Sequence, residues 1–231
     1  MESNLFYDGI AQRYSDISLE RCKYNNAIDS YITSHDNFDS FLNVLDVGSG
    51  GGERIANLFP ESANITAVEE SKEMCRTLRR NRRIQRVIES DSEELRVDDF
   101  ADSYDLITMQ WNVMGHVKNP VLLLRLLYEV LDSPGHLIFD VNNPLNIRQY
   151  GIKSFLSNYA YFFLFPREKR RTFNWTLDEL RTSVSFSPTR VYIKWLKSVG
   201  FKEIKVRYFD YETGRGVALF AGQILIEARK N

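Results

Sequence analysis

The 231-residue sequence is poor in the features that mark membrane, secreted and metal-dependent proteins. It has two cysteines, Cys22 and Cys75, at no spacing typical of a disulfide framework or a redox pair. None of its three histidines lies at ligand spacing from another, so no metal site is expected. No apolar run is long enough to cross a bilayer, and no basic residue leads an apolar N-terminus. These absences predict a cytoplasmic protein without a membrane span.

Charge of one sign is also lacking. The chain has 30 Lys and Arg against 31 Asp and Glu, so its net charge is −1 and no overall field recruits nucleic acid or an anionic membrane. An arginine-rich stretch over 76–86 is followed at once by acids over 89–102. This balance favours a solvated helix face, with an RNA-binding surface as the alternative. Neither a membrane nor a nucleic acid is therefore expected as a partner.

The order of apolar segments indicates the fold class. Strand-like and helix-like segments alternate from position 41 to about 144, which predicts a parallel sheet with helices on both faces. The length fits a single domain over 1–231. Two helices are expected in an N-terminal cap over 1–40. An aromatic-rich insertion over 145–187 interrupts the alternation, and a strand, a turn over 210–216 and a last strand over Val217–Ala228 are expected to end the chain.

The most informative segment is a glycine-rich turn between a strand and a helix. A short apolar stretch, Phe41–Leu45, leads into Asp46 and then into glycines at 48, 50, 51 and 52. Such a turn lets backbone N–H groups approach a ligand closely. The dinucleotide pattern G-x-G-x-x-G would need a third glycine where Glu53 stands, and no Gly-Lys-Ser/Thr of a P-loop follows.

The spacing of Asp46, Gly48, Gly50 and Gly52 resembles motif I of the class I S-adenosylmethionine-dependent methyltransferases. The resemblance implies an α/β, doubly wound, Rossmann-like fold: a mostly parallel seven-stranded sheet with an antiparallel C-terminal strand and a helical, aromatic insertion after strand five. It also implies S-adenosylmethionine as the cofactor and S-adenosylhomocysteine as its product. The residues implied around the glycine turn are Asp46, Gly48, Ser49, Gly50 and Gly52.

Acids follow the next two predicted strands. Glu69, after the second strand, is placed to accept hydrogen bonds from a ribose diol. Its neighbour Glu70 is a second cofactor candidate, with capping of the next helix as the alternative. The resemblance assigns Asp91 to the exocyclic amine of adenine and Ser92 to the adenine ring. Capping of a helix by Ser90 or Asp91 is an alternative compatible with that role.

Gln110 and Trp111 end the fourth predicted strand and are expected to face the methionine part of the cofactor. His116 follows them and is a candidate general base, with a structural role as the alternative. Tyr14, in the helix expected to cover the cleft, is a second candidate, with ordinary packing as its alternative. Asp140, at the end of strand five, could orient an acceptor or cap the following loop.

The insertion over 145–187 is expected to form a lid that builds the substrate pocket. Its aromatic residues imply an apolar, aromatic or cationic acceptor, with a small satellite core as the alternative reading. The leading hypothesis is methyl transfer to a small-molecule acceptor by direct in-line displacement. The alternatives are an RNA or protein methyltransferase and a non-catalytic cofactor-binding module of the same fold.

Overall fold

The computed structural model describes residues 3–14, 21–164, 170–177 and 179–231. A seven-stranded sheet in the order β3-β2-β1-β4-β5-β9-β8 forms its centre, and a separate hairpin joins β6 to β7. The strands are β1 Asn43–Val47, β2 Asn64–Glu69, β3 Ile84–Glu89, β4 Tyr104–Met109, β5 Leu131–Val141, β6 Arg171–Leu177, β7 Leu180–Phe186, β8 Glu203–Phe209 and β9 Gln223–Lys230.

The predicted fold class is confirmed. Strands β1 to β5 pair in parallel, whereas β9 pairs antiparallel with both β5 and β8. The helices are α1 Ser3–Ile10, α2 Cys22–Thr33, α3 Glu53–Leu58, α4 Lys72–Leu78, α5 Val113–His116, α6 Pro120–Val130, α7 Ile147–Leu164 and α8 Thr189–Val199, with short 3-10 turns at Ala11–Arg13, Phe38–Ser40 and Val97–Asp99.

The sheet separates two apolar clusters. One packs α6 and α8 against the sheet through residues such as Leu124, Phe139 and Trp195, and the other packs α2 through Ile28 against Ile65. Strand residues alternate between the two faces, so β1, β2, β4 and β5 are apolar on both sides, as expected for central parallel strands. The carboxyl ends of β1 to β5 therefore meet at one edge of a rigid layer.

Three strand boundaries differ from those predicted. Asp46 lies inside β1 rather than after it, because β1 begins at Asn43 and continues to Val47. Residues 132–135, where Pro134 and Gly135 favour a turn, are instead part of β5, whose register opposite β4 shifts between Tyr104 and Leu106. The last strand begins at Gln223 rather than Val217, because the preceding residues form turns.

The insertion contains more regular structure than its sequence suggested. Helix α7 has a non-helical residue at Gly151, whose φ is 75°. The hairpin of β6 and β7 packs against α1 and α5. Parts of two predicted segments lie outside the described residues: 15–20 of the expected cap, and 165–169 and 178 of the insertion. Among the helices that the structure describes, none has the length and apolar character to cross a membrane.

Candidate active site

A cavity of about 1210 Å³ opens at the carboxyl ends of the central strands. The glycine turn forms one wall, and Gly48, Gly50 and Gly52 have φ values of 73°, 56° and 74°, where side chains are strained. A Cβ at position 50 would lie 2.6 Å from Cε1 of Tyr14, and a Cβ at position 48 would contact Val113. The turn thus has room for bare backbone only.

Glu69 is the last residue of β2, lines the cavity and is only 5% exposed. Its Oε2 accepts a hydrogen bond from the N–H of Gly50 at 2.8 Å, and its Oε1 accepts one from the N–H of Ser71 at 2.9 Å. Burial raises the pKa of this carboxyl to about 7, although both N–H bonds oppose the shift. Each oxygen has a second lone pair for a ligand.

The predicted adenosine-binding side of the site lines the same cavity through Glu70, Asp91 and Ser92. Asp91 follows β3, and its Oδ1 accepts a hydrogen bond from the N–H of Glu93 at 2.9 Å. Asp91 therefore makes a capping-type bond while it borders the cavity, so the two alternatives considered for it are compatible. Glu69 and Asp91 lie on the same side of the sheet as the glycine turn.

Asp46 borders a different space. It lines an adjoining cavity of about 70 Å³, together with Gly48, Ser49, Gly52 and Gln110. Because Asp46 lies inside β1, its buried Oδ1 accepts a hydrogen bond from Oγ1 of Thr108 on β4 at 2.6 Å. Burial raises its pKa to about 6.

The turn after β4 supplies the next wall. Gln110 and Trp111 border both cavities. The indole Nε1 of Trp111 donates to Oδ1 of Asn25 at 3.1 Å. Gln110 Oε1 accepts from Arg54 at 3.1 Å, whereas its buried Nε2 has no hydrogen-bond partner in the described part of the chain.

Arg21 is a cavity residue that the sequence analysis missed. Its guanidinium lies 4.9 Å from the ring centroid of Trp111 and 4.5 Å from that of Tyr211, and it donates to the Tyr211 hydroxyl. It places a positive charge beside the aromatic wall. No local pattern marks this arginine, because its partners come from the turn after β4 and from the turn after β8.

The structure places both predicted base candidates at the cavity wall. Nε2 of His116 lies 3.1 Å from the hydroxyl of Tyr7, and its buried Nδ1 makes no hydrogen bond of normal geometry to a described residue. Burial, with help from Arg170, lowers the His116 pKa to about 4, so the imidazole is neutral at physiological pH. Burial raises the pKa of Tyr14, whose ring covers Gly50, so its hydroxyl stays protonated.

The insertion forms the far wall. Tyr150 of α7 stacks on Phe186 of β7, with ring centroids 6.0 Å apart, and Phe173 of β6 lies 5.0 Å from Phe186. Asn158 and Thr182 also border the cavity and are buried. The predicted lid residues therefore face the same cavity as the glycine turn.

Two histidines far apart in the sequence meet away from this cavity. Nε2 of His35 and Nδ1 of His136 lie 3.2 and 3.0 Å from Oε1 of Glu227, whose other oxygen accepts from Tyr31. Nδ1 of His35 faces the carbonyls of residues 31 and 32. Both ring nitrogens of His35 therefore face acceptors, and the Glu227 carboxylate raises the His35 pKa.

Comparison with known proteins adds independent findings. A family model described as "Methyltransferase domain" matches residues 18–206. Two curated relatives are ubiquinone biosynthesis O-methyltransferases: one from Vibrio parahaemolyticus is 30% identical over 115 residues, 46% of either chain, and one from Photobacterium profundum is 25% identical over 126 residues, 52% of either chain. The chain thus spans about half the length of the curated relatives it matches.

Solved structures support the fold. A SAM-dependent methyltransferase from Thermotoga maritima, described as a possible histamine N-methyltransferase, has a TM-score of 0.67 at 16% identity and covers 99% of both chains. The complex of DhpI with SAH has a TM-score of 0.65 at 12% identity, covering 100% of this chain and 99% of that one. At such identities the likeness concerns the architecture alone.

Proposed function

The chain belongs to the class I S-adenosylmethionine-dependent methyltransferases, and from this premise we propose that it transfers a methyl group from S-adenosylmethionine to a small-molecule acceptor by in-line displacement. One observation carries the proposal. Gly48 and Gly50 of the glycine turn and the acids Glu69 and Asp91 line a single cavity that is large enough for two ligands.

The residues that line the cavity suit S-adenosylmethionine as the ligand. The glycine turn admits only backbone at Gly48 and Gly50, and both residues line the cavity. Glu69 has lone pairs for a ribose diol, and Asp91 can accept from an adenine amine. Arg21 offers a charge partner for the amino-acid carboxylate. Gln110 also borders the cavity, and its Nε2 is a buried donor that has no hydrogen-bond partner among the described residues.

We assign catalysis chiefly to positioning and exclusion of water. When bound, the cofactor supplies an activated methyl on a sulfonium. Trp111 and Tyr14 line the wall with their rings 5.8 Å apart and shield this part of the cavity. Holding two reactants in line is worth up to roughly 7–11 kcal/mol in favourable cases. His116 is neutral at physiological pH and is the candidate to accept a proton from an acceptor hydroxyl, although its lowered pKa makes it a weaker base than an ordinary histidine.

A small-molecule acceptor with a reactive oxygen is the form of the proposal that the curated relatives favour, since both are named O-methyltransferases. The RNA alternative is weakened by the arginines that motivated it. Arg79 pairs with Glu89 at 2.8 Å, and Arg83 donates to the carbonyls of Pro60 and Glu61 at 2.6 and 3.0 Å. These cations already have partners within the protein.

The test combines binding and turnover. Calorimetry should show S-adenosylhomocysteine binding well below millimolar, and a panel of small phenols and alcohols should yield S-adenosylhomocysteine from S-adenosylmethionine. Glu69→Ala should weaken binding by about 1–3 kcal/mol, whereas the surface control Glu73→Gln should not. Absence of binding would reject the proposal, and binding without turnover on any acceptor class would favour the non-catalytic module.

A further inference from the structure

Two consecutive residues after β4 have a backbone conformation that side chains rarely adopt. The φ values of Trp111 and Asn112 are 64° and 61°, in the left-handed region. Two adjacent non-glycine residues there store free energy, and such strain persists only where the surroundings impose it. Since Trp111 and Asn112 border the large cavity, the strain lies at the proposed active site.

Asp140 is the buried group that faces this turn. It lies one residue before the end of β5 and is 3% exposed. Its Oδ1 accepts a hydrogen bond from the backbone N–H of Asn112 at 3.1 Å, and its Oδ2 accepts one from the hydroxyl of Tyr24 at 2.7 Å. Asp140 therefore hydrogen-bonds the turn after β4 and helix α2 rather than capping the loop that follows β5.

The turn has two further anchors. Oδ1 of Asn112 accepts from the N–H of Asn142 at 3.0 Å, and the Trp111 indole donates to Asn25. Tyr24 and Asn25 are neighbours on α2, so one helix holds both Asp140 and the indole. The strained turn, the buried Asp140 carboxylate and the hydrogen bond of the indole therefore lie together where α2, β4 and β5 meet.

We propose that Asp140 is a positioning residue that holds Trp111 and Asn112 in the left-handed conformation and thereby fixes the indole wall beside the reacting methyl. The effect on methyl transfer rests on the proposed function, whereas the effect on the turn does not. Both oxygens accept hydrogen bonds, which fits an ionised carboxylate. Burial raises the Asp140 pKa, and its bonds to Tyr24 and Asn112 oppose that shift.

Glycine offers a direct test, because it adopts positive φ without strain. Asp140→Ala removes both bonds and should lower kcat at least roughly tenfold, as expected for lost orientation of a reacting pair. In an Asn112→Gly background position 112 adopts positive φ without strain and the turn depends less on Asp140, so the same change should lower kcat by a clearly smaller factor. The single Asn112→Gly variant is the reference for the double variant, because Asn112→Gly also removes the hydrogen bond from the N–H of Asn142 to the Asn112 side chain. Asp140→Asn, which keeps one acceptor oxygen, should restore part of the activity.

Hydrogen exchange of the cofactor-free protein gives a readout that needs no turnover. The Asn112 amide should exchange faster in Asp140→Ala, and Tyr24→Phe should give an intermediate rate because it leaves the Asn112 bond in place. Should Asp140→Ala not fold, Asp140→Asn and Tyr24→Phe carry the same comparison. Equal kcat losses in both backgrounds, or an Asn112 amide unaffected by both changes, would overturn the proposal. Inactivity of the wild-type protein toward every acceptor would instead reject the proposed function. The hydrogen-exchange result would still show whether Asp140 holds the turn of Trp111 and Asn112.

Discussion

The buried Glu69 carboxyl should make cofactor binding depend on pH. Its pKa is raised to about 7, so about a tenth of the molecules carry the ionised form at pH 6 and about nine-tenths at pH 8. Ribose hydroxyls donate to a carboxylate, so binding requires the ionised form. The Kd of S-adenosylhomocysteine should therefore fall about tenfold between pH 6 and pH 8, equivalent to about 1.4 kcal/mol.

Isothermal calorimetry across this range measures the slope directly. Glu69→Gln has no titrating group at position 69 and should bind more weakly with most of the slope removed. Asp46, whose pKa is raised to about 6, affects the Kd mainly at the lower end of this pH range. The slope that remains in Glu69→Gln measures that contribution. Glu73→Gln, which changes a surface acid outside the cavity lining, is the control and should retain the wild-type slope.

An analogue of 5′-methylthioadenosine without ribose hydroxyls separates the ribose role from a general effect. It should bind with no Glu69-dependent slope, because it offers the carboxylate no donor. A flat Kd in the wild-type protein, or equal slopes in wild type and Glu69→Gln, would refute the assignment of Glu69 to the ribose.

Three further outcomes are expected. Gly50→Ala should raise the Kd of S-adenosylhomocysteine at least roughly tenfold, because its Cβ would need left-handed backbone and meet the Tyr14 ring, and Tyr14→Ala in the same chain should relieve only the contact. His116→Gln should lower kcat on a hydroxyl acceptor roughly a hundredfold with little change in Kd, and the His116 pKa of about 4 means that kcat/KM should show no histidine-dependent fall between pH 8 and 5. The Glu227 carboxylate raises the pKa of His35. The stabilisation of the fold by protonated His35 is therefore fully present below the unfolded pKa of about 6.5 and is lost as the pH rises through the folded pKa. Urea unfolding at increasing pH should show this loss in the wild type but not in His35→Gln.

The parts of the fold predicted from sequence are those encoded over a few residues. Apolar runs between glycines and acids locate β2 and β4 closely, because burial on both faces leaves a continuous apolar signal. The prediction for Asp46 was wrong in one respect. The first strand was expected to end two residues too early, so Asp46 was placed after β1, whereas it lies inside that strand. The hairpin was missed because its polar and aromatic residues alternate in a segment that also fits a loop.

The contacts missed in the site join residues distant in the chain. Asp140 meets the N–H of Asn112 across 28 positions, and Arg21 meets Trp111 only because α2 packs beside the β4 turn. A sequence can show an acid at the end of a strand, but its partner depends on strand order and on which side chain the packing turns toward it. The histidine pair around Glu227 arises in the same way.

Arg170 has a consequence for how acceptor preference can diverge among such proteins. It lies next to β6 and donates to the carbonyls of Gly115 and Lys118 at 3.3 and 3.2 Å, at the end of the helix that contains His116. One guanidinium thereby links the insertion to the helix that contains His116. Exchanging the hairpin for that of a related protein while keeping Arg170 should change the cavity wall and leave the His116 ring in place. A hairpin without this arginine should displace the imidazole.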